Sequence, residues 1–194
     1  DTVVDAPAGT EDASVIRFGP GIFPWSLELG LGSLVLGYGE GDAIRFSAFD
    51  ADDPYSTPVF ERLEFDDGSW MSYQEVLELG LQISGSEADD VILGTSLDDS
   101  IQGEDGDDTL AGGPGDDFLE GGEGNDTYIF AHGDGYDWVS EWDDTPGESD
   151  TVRLSGGILP TDVQVTRDLS NYYLVLDEDD LLVLDSMARE SAAE

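Results

Sequence analysis

Between positions 85 and 139 an aspartate returns every nine residues, and an apolar residue follows each one two places later. In register the copies read GSEADDVIL, GTSLDDSIQ, GEDGDDTLA, GGPGDDFLE and GGEGNDTYI, beginning at Gly85, Gly94, Gly103, Gly112 and Gly121. A sixth, worn copy, HGDGYDWVS, starts at His132 after two extra residues. The carboxylates so spaced are Asp90, Asp99, Asp108, Asp117, Asp126 and Asp137. Carboxylate and carbonyl oxygens are ligands for a hard cation, and calcium takes six to eight of them at about 2.3–2.6 Å. The glycines of the same copies, Gly85, Gly94, Gly103, Gly106, Gly112, Gly113, Gly115, Gly121, Gly122, Gly124, Gly133 and Gly135, let turn carbonyls approach such an ion and complete the candidate ligand set.

Spacing then dictates the scaffold. A six-residue turn followed by a short strand with one inward apolar side chain buries nothing alone, so successive copies must stack. With each nonapeptide as half a coil, eighteen residues make one circuit. Asp90, Asp108 and Asp126 then line one edge, and Asp99, Asp117 and Asp137 the other, at the strand spacing of about 4.8 Å. The expected core is Ile92, Ile101, Leu110, Leu119, Tyr128 and Val139. Two ionised carboxylates about 4.8 Å apart repel by about 3–4 kcal/mol at an effective dielectric near 20, so the stack requires a cation to hold. Pairing along the rows gives about four ions, and each middle aspartate serves two. Copies one and two carry Ser86, Ala88, Thr95, Ser96 and Leu97 where glycine or free choice is usual, which makes their sites the least secure. A disordered acidic linker would show no apolar residue locked to every ninth-position aspartate. The D-x-D-x-D-G loop of an EF-hand is absent.

The rest of the chain is organised around this stretch. Alternating apolar residues predict strands at 15–18, 27–31, 34–38, 43–46 and 60–65, and after the repeats at 151–154, 163–166, 172–176 and 181–184. Ser72-Tyr73-Gln74-Glu75 reads as a capping box opening one short helix through Leu79, which Gly80 stops. The fold expected is all-β: a parallel β-roll, or β-solenoid, with calcium-binding turns, flanked by strand-rich regions and one short helix. Residues 1–82 form a strand-rich region, 83–141 the roll, and 142–194 a partial second copy of the first region. That copy shows in VIRFGPGIFP from Val15 against VRLSGGILP from Val152, which align Ile22 and Pro24 with Ile158 and Pro160. Asp1-Thr2-Val3-Val4-Asp5 matches 137–141, so the chain reads as about one and a half units of a longer repeat. The segment from Met187 to Glu194 shows no partner and reads as poorly ordered or weakly helical.

Composition narrows the function. Forty-six acidic residues face six arginines and no lysine, for a formal charge of −40, so four divalent ions would leave about −32. That surplus excludes nucleic acid and anionic lipid as partners. No apolar run approaches membrane-spanning length, and a monomer without membrane insertion is expected. Cysteine is absent, so no disulfide or thiolate metal site exists. No signal peptide is visible at the start, which reads as a fragment's beginning. No nucleophile elbow, P-loop or dinucleotide fingerprint occurs. The one histidine, His132, opens the worn sixth turn and reads as structural. Trp138, Trp142, Tyr128 and Tyr136 offer a sugar-stacking face, though core or rim packing suits them better. Asp53-Pro54 matches a dipeptide cleaved in some self-processing modules, yet it is also an ordinary turn.

The five repeats from Gly85, the DTYIF and HGDGYD that follow, and the I-x-P turns resemble the RTX, or haemolysin-type calcium-binding repeat, family, together with the less glycine-rich region that accompanies it in very large secreted bacterial proteins. The resemblance implies bound calcium, export unfolded through a type I secretion system, and folding outside the cell against neighbouring repeats of the same parent chain. It further implies a non-catalytic module of a secreted or cell-surface protein such as an adhesin. Its alternatives are the accessory domain of a secreted protease, lipase or polysaccharide-modifying enzyme, or a carbohydrate-binding adhesin module.

Overall fold

The computed structural model describes residues 15–30, 34–38, 42–46, 49–51, 53–56, 58–140 and 149–185. The expectations for Asp1–Asp5, Leu31, Glu141, Trp142 and Met187–Glu194 lie outside these residues. The chain divides into two compact units, Asp1–Gln82 and Ile83–Glu194.

In the first unit three strands, β1 (Val15–Arg17), β5 (Arg62–Glu64) and β6 (Trp70–Ser72), form one sheet, with β1 parallel and β6 antiparallel to β5. A single turn of 3-10 helix at Pro24–Ser26 leads into an antiparallel meander of β2 (Leu27–Gly30), β3 (Leu34–Tyr38) and β4 (Asp42–Phe46). Leu29, Leu36 and Ile44 lie side by side across that meander, all buried, which is what alternation with polar neighbours dictates. Helix α1 (Tyr73–Leu77) opens with the expected capping box. The Ser72 hydroxyl accepts the Glu75 amide at 3.2 Å, and Glu75 accepts the Ser72 amide at 2.7 Å. The helix is shorter than the sequence suggests because Gly80 turns left-handed at φ 73° and its amide already closes on Leu77. Tyr73, Val76 and Leu77 are buried, as are Phe60 and Leu63, and Tyr73 meets Phe60 edge-on at 5.1 Å. Two details depart from the sequence reading. The strand at 60–65 contracts to Arg62–Glu64, and its partner β6 went unforeseen, because three residues carry too little alternation to announce a strand.

The second unit is a parallel roll. One sheet stacks β8 (Val91–Leu93), β10 (Thr109–Ala111), β12 (Thr127–Phe130) and β14 (Thr151–Leu154) in that order. The opposite sheet stacks β7 (Gln82–Ser86), β9 (Ser100–Asp105), β11 (Phe118–Glu123), β13 (Tyr136–Ser140) and β17 (Leu181–Asp185). All these pairings with a defined register are parallel, and the register places Ile92, Leu110, Tyr128 and Val152 in one column. Ile101, Leu119, Val139 and Leu184 form the other. Leu110 and Ile101 have no exposure at all, so the roll is a filled core and not a channel. An antiparallel hairpin of β15 (Gln164–Arg167) and β16 (Asn171–Val175) then adds to β17, ending the parallel stacking.

Leu110 sits between two coils with every methyl buried, so Leu110→Ala should lower unfolding free energy by about 2–5 kcal/mol. Urea denaturation in saturating calcium checks this.

Candidate metal centre

Each repeat's aspartate stands two residues before its core side chain, and in a strand positions i and i+2 share a face. The carboxylate is therefore drawn into the same interior as the apolar residue that follows. Asp99, Asp108, Asp117, Asp126 and Asp137 are all at most 3% exposed.

The stacking gives the carboxylates of Asp108, Asp117, Asp126 and Asp137 a partner in the preceding coil. Oδ1 of Asp108 accepts the amide of Asp90 at 2.7 Å, and Asp126 accepts that of Asp108 at 2.8 Å. On the other edge Asp117 accepts the Asp99 amide at 2.7 Å, and Asp137 that of Asp117 at 3.1 Å. The two rows thus run 90, 108, 126 and 99, 117, 137. A second, outer ladder runs in the opposite sense. Asp89, Asp107, Asp98 and Asp116 each accept the amide of their counterpart in the next coil, at 2.9–3.2 Å.

The second oxygens differ along the chain. Oδ2 of Asp108, Asp117, Asp126 and Asp137 is buried with no hydrogen-bond partner. Each unpaired ionised oxygen inside the protein is costly, and a native structure meets that cost with a proton or a cation. At Asp90 and Asp99 the same oxygen is satisfied. Asp90 Oδ2 accepts the Ser86 amide and hydroxyl, both at 2.8 Å. Asp99 Oδ2 accepts the Thr95 amide at 2.7 Å and its hydroxyl at 2.9 Å.

Backbone conformation explains the split. The second and fourth turn positions are left-handed in the last four copies, at Glu104 and Gly106, Gly113 and Gly115, Gly122 and Gly124, and Gly133 and Gly135. Ser86, Ala88, Thr95 and Leu97 are not. Where the second position is Ser or Thr, its amide turns onto its own aspartate. Where it is left-handed, that aspartate keeps an open oxygen. Glu104 at φ 78° shows how strongly the turn imposes this shape, since a side chain there is strained. At Gly103 and Gly112 the first turn position must be glycine for a different reason. A Cβ on Gly103 would collide with Asp108 Oδ2 and the Gly121 carbonyl, and one on Gly112 with Asp117 Oδ2. Carboxylate and carbonyl oxygens thus converge on the same small space, a donor set that fits calcium.

The electrostatics say the same. Burial, followed by repulsion from Asp117, pushes Asp137 up to about 8. Burial and the neighbouring Asp99 push Asp117 up to about 7, and burial with Asp108 and Asp150 pushes Asp126 up to about 6. Asp108 is raised as well, chiefly by burial.

Sequence reasoning found the six aspartates but not two further groups. Asp150 continues the first row, because the Thr127↔Thr151 pairing sets it opposite Asp126, whose amide it accepts at 3.0 Å. Asp180 closes the worn sixth turn. Its carboxylate accepts the Gly133 amide at 2.9 Å and the Gly135 amide at 3.3 Å, and lies 3.2 Å from His132 Nδ1. Burial works against the charge on Asp180, yet these donors outweigh it and hold its pKa below the usual value. Of the turn glycines, Gly85 ends up within β7, Gly103 within β9, and Gly121 and Gly122 within β11, while the others fall between the stacked strands.

Buried, oxygen-rich turns repeated along a parallel β-roll define a calcium-binding solenoid. Residues 93–128 match the RTX calcium-binding nonapeptide repeat family, in four copies, and the chain carries such repeats. Among solved structures, the chain is similar to the AlgE6R3 subunit of the Azotobacter vinelandii mannuronan C5-epimerase, with 25% identity over 57% of this chain and 84% of that one, at a TM-score of 0.26. It is also similar to the extracellular lipase LipA of Serratia marcescens, with 16% identity over 92% of this chain and 32% of that one, at a TM-score of 0.30. A comparison with curated proteins found no match.

Two outcomes follow from the split in Oδ2 bonding. Thr95→Ala removes the hydroxyl that donates to the buried Asp99 Oδ2 and should cost about 1–3 kcal/mol in urea unfolding in saturating calcium. In metal-free protein the raised aspartates bind protons in the folded state that the unfolded chain, titrating near 4, does not. Stability should therefore be greatest near pH 4 and fall as the pH rises to about 8. Thermal melts across that range should be flatter for Asp117→Asn than for the parent chain.

Proposed function

We propose that this chain is a calcium-dependent structural module of a larger secreted or cell-surface bacterial protein, exported unfolded and folded by calcium outside the cell. The observation that carries this reading is the set of four buried Oδ2 atoms without partners. A roll that encloses four such oxygens is poorly stable as an anion and well stable once cations fill its turns. Export follows from the same energetics, because a chain that does not close in calcium-poor cytoplasm stays threadable. The metal ligands proposed are the six repeat aspartates with the glycine turns that face them, holding about four ions. Residues 1–82, 83–141 and 142–194 serve as strand-rich region, roll and partial second strand-rich region.

No catalytic role is assigned to the chain. His132 is engaged with Asp180, and the Asp53 carbonyl is held in a turn by the Ser56 amide at 3.1 Å and hydroxyl at 2.9 Å. The Pro54 carbonyl accepts the buried Tyr73 hydroxyl at 2.8 Å, which gives Asp53-Pro54 a packing role. Among the described residues no helix is long and apolar enough to cross a membrane.

Cation binding confined to the folded state adds stability that chelation removes. Circular dichroism in chelator at pH 7.5 should show loss of β signal, restored by calcium at about 10⁻⁴–10⁻³ M. Equal magnesium should not restore it, because a smaller ion that holds its water tightly does not fit these turns. Spectra unchanged by chelation would overturn the proposal.

A further inference from the structure

The two aspartate rows end differently, and the difference locates a metal ligand that the nine-residue period does not reach. On one edge Asp137 lies opposite Leu182, so the row stops at an apolar side chain. On the other, Asp126 is followed by a 24-residue step, not the regular eighteen, to Asp150. Despite that longer excursion, both ladders are rebuilt. Asp150 accepts the Asp126 amide at 3.0 Å, within the 2.7–3.1 Å of the four other steps, of which the one from Asp117 to Asp137 is also longer than eighteen residues. The outer ladder continues too, with Asn125 Oδ1 accepting the Ser149 amide at 3.0 Å. The ESDTV that contains Asp150 keeps the aspartate two places before an apolar residue, Val152, which extends the core column.

An acidic pair alone would signify little. The turn at 121–126 supplies the independent observation: Asp126 is 1% exposed and its Oδ2 has no partner. A Cβ on Gly121 would strike that same oxygen, so the carboxylate points into the glycine turn. Asp150 is exposed, which leaves the site open to solvent on one side.

We propose that Asp150 is a calcium ligand, closing with Asp126 and the turn at 121–126 one site more than the repeats themselves provide. Asp126 then serves two ions, as Asp108 and Asp117 do, and the two edges of the roll hold unequal numbers. This rests on the calcium reading above.

Calcium stoichiometry of the full 194-residue chain, by isothermal titration and native mass spectrometry, tests it. Asp150→Asn keeps an acceptor for the Asp126 amide and should bind one ion fewer than the parent chain. Asp66→Asn, which also removes one surface charge, should lose none. The side-chain carboxyl carbon of Asp150 in the parent chain should shift on calcium addition. Unchanged stoichiometry in Asp150→Asn, or a stationary Asp150 carboxyl signal, overturns this proposal and leaves the calcium reading standing. A parent chain that binds no calcium overturns both.

Discussion

A carboxylate that shares a face with a core side chain cannot stay in water once that core closes, and everything else in the roll answers to this. Leu119 has to be buried for the stack to exist, and Asp117, two residues earlier and just ahead of β11, is carried in with it. One oxygen finds the amide of the preceding coil. The other needs a cation, a proton or a local hydroxyl. The chain uses the third solution twice, at Ser86 and Thr95, and leaves the other four oxygens to an external ligand. The hydrophobic drive to stack and the metal requirement are thus the same event seen from neighbouring residues.

This gives the roll a direction. Its first coil is satisfied from within, so Asp90 and Asp99 form a foundation that makes no demand for metal through Oδ2. Each of the next two coils adds two open oxygens, and the backbone of their turns becomes left-handed at two positions per copy. A solenoid whose coils contact only their neighbours grows by adding one interface at a time. A first coil whose aspartates have Oδ2 bonded from within gives such growth a starting surface.

Much of this was legible in the sequence because two periodicities coincide: nine residues per half-coil and two between aspartate and core residue. Together they place Leu110 inside and Asp108 beside it before any coordinates are known. What sequence left hidden is tertiary in origin. Ser86 and Thr95 read as departures from glycine, and only the stacked geometry shows their hydroxyls meeting Asp90 and Asp99. Asp150 was missed because a 24-residue step breaks the period while β14 restores the register by pairing with β12. Asp180 was hidden more deeply, since it serves the turn at 132–137 from just ahead of β17, more than forty residues away.

The ends of the stack show how a metal-built solenoid is brought to a close. The column of core residues continues to Leu184, so apolar burial alone would let the roll extend. At β17 the aspartate position has become Leu182, 1% exposed, and no further carboxylate row can be built on that edge. Asp180 instead binds the Gly133 and Gly135 amides directly, so the last turn on that side is tied by the chain itself and by His132. The antiparallel β15–β16 hairpin then occupies the free edge of β17, which would otherwise offer unpaired backbone to another strand. Termination is therefore written as three substitutions of one interaction for another: leucine for aspartate, a side-chain carboxylate for an ion, and an antiparallel partner for the next coil.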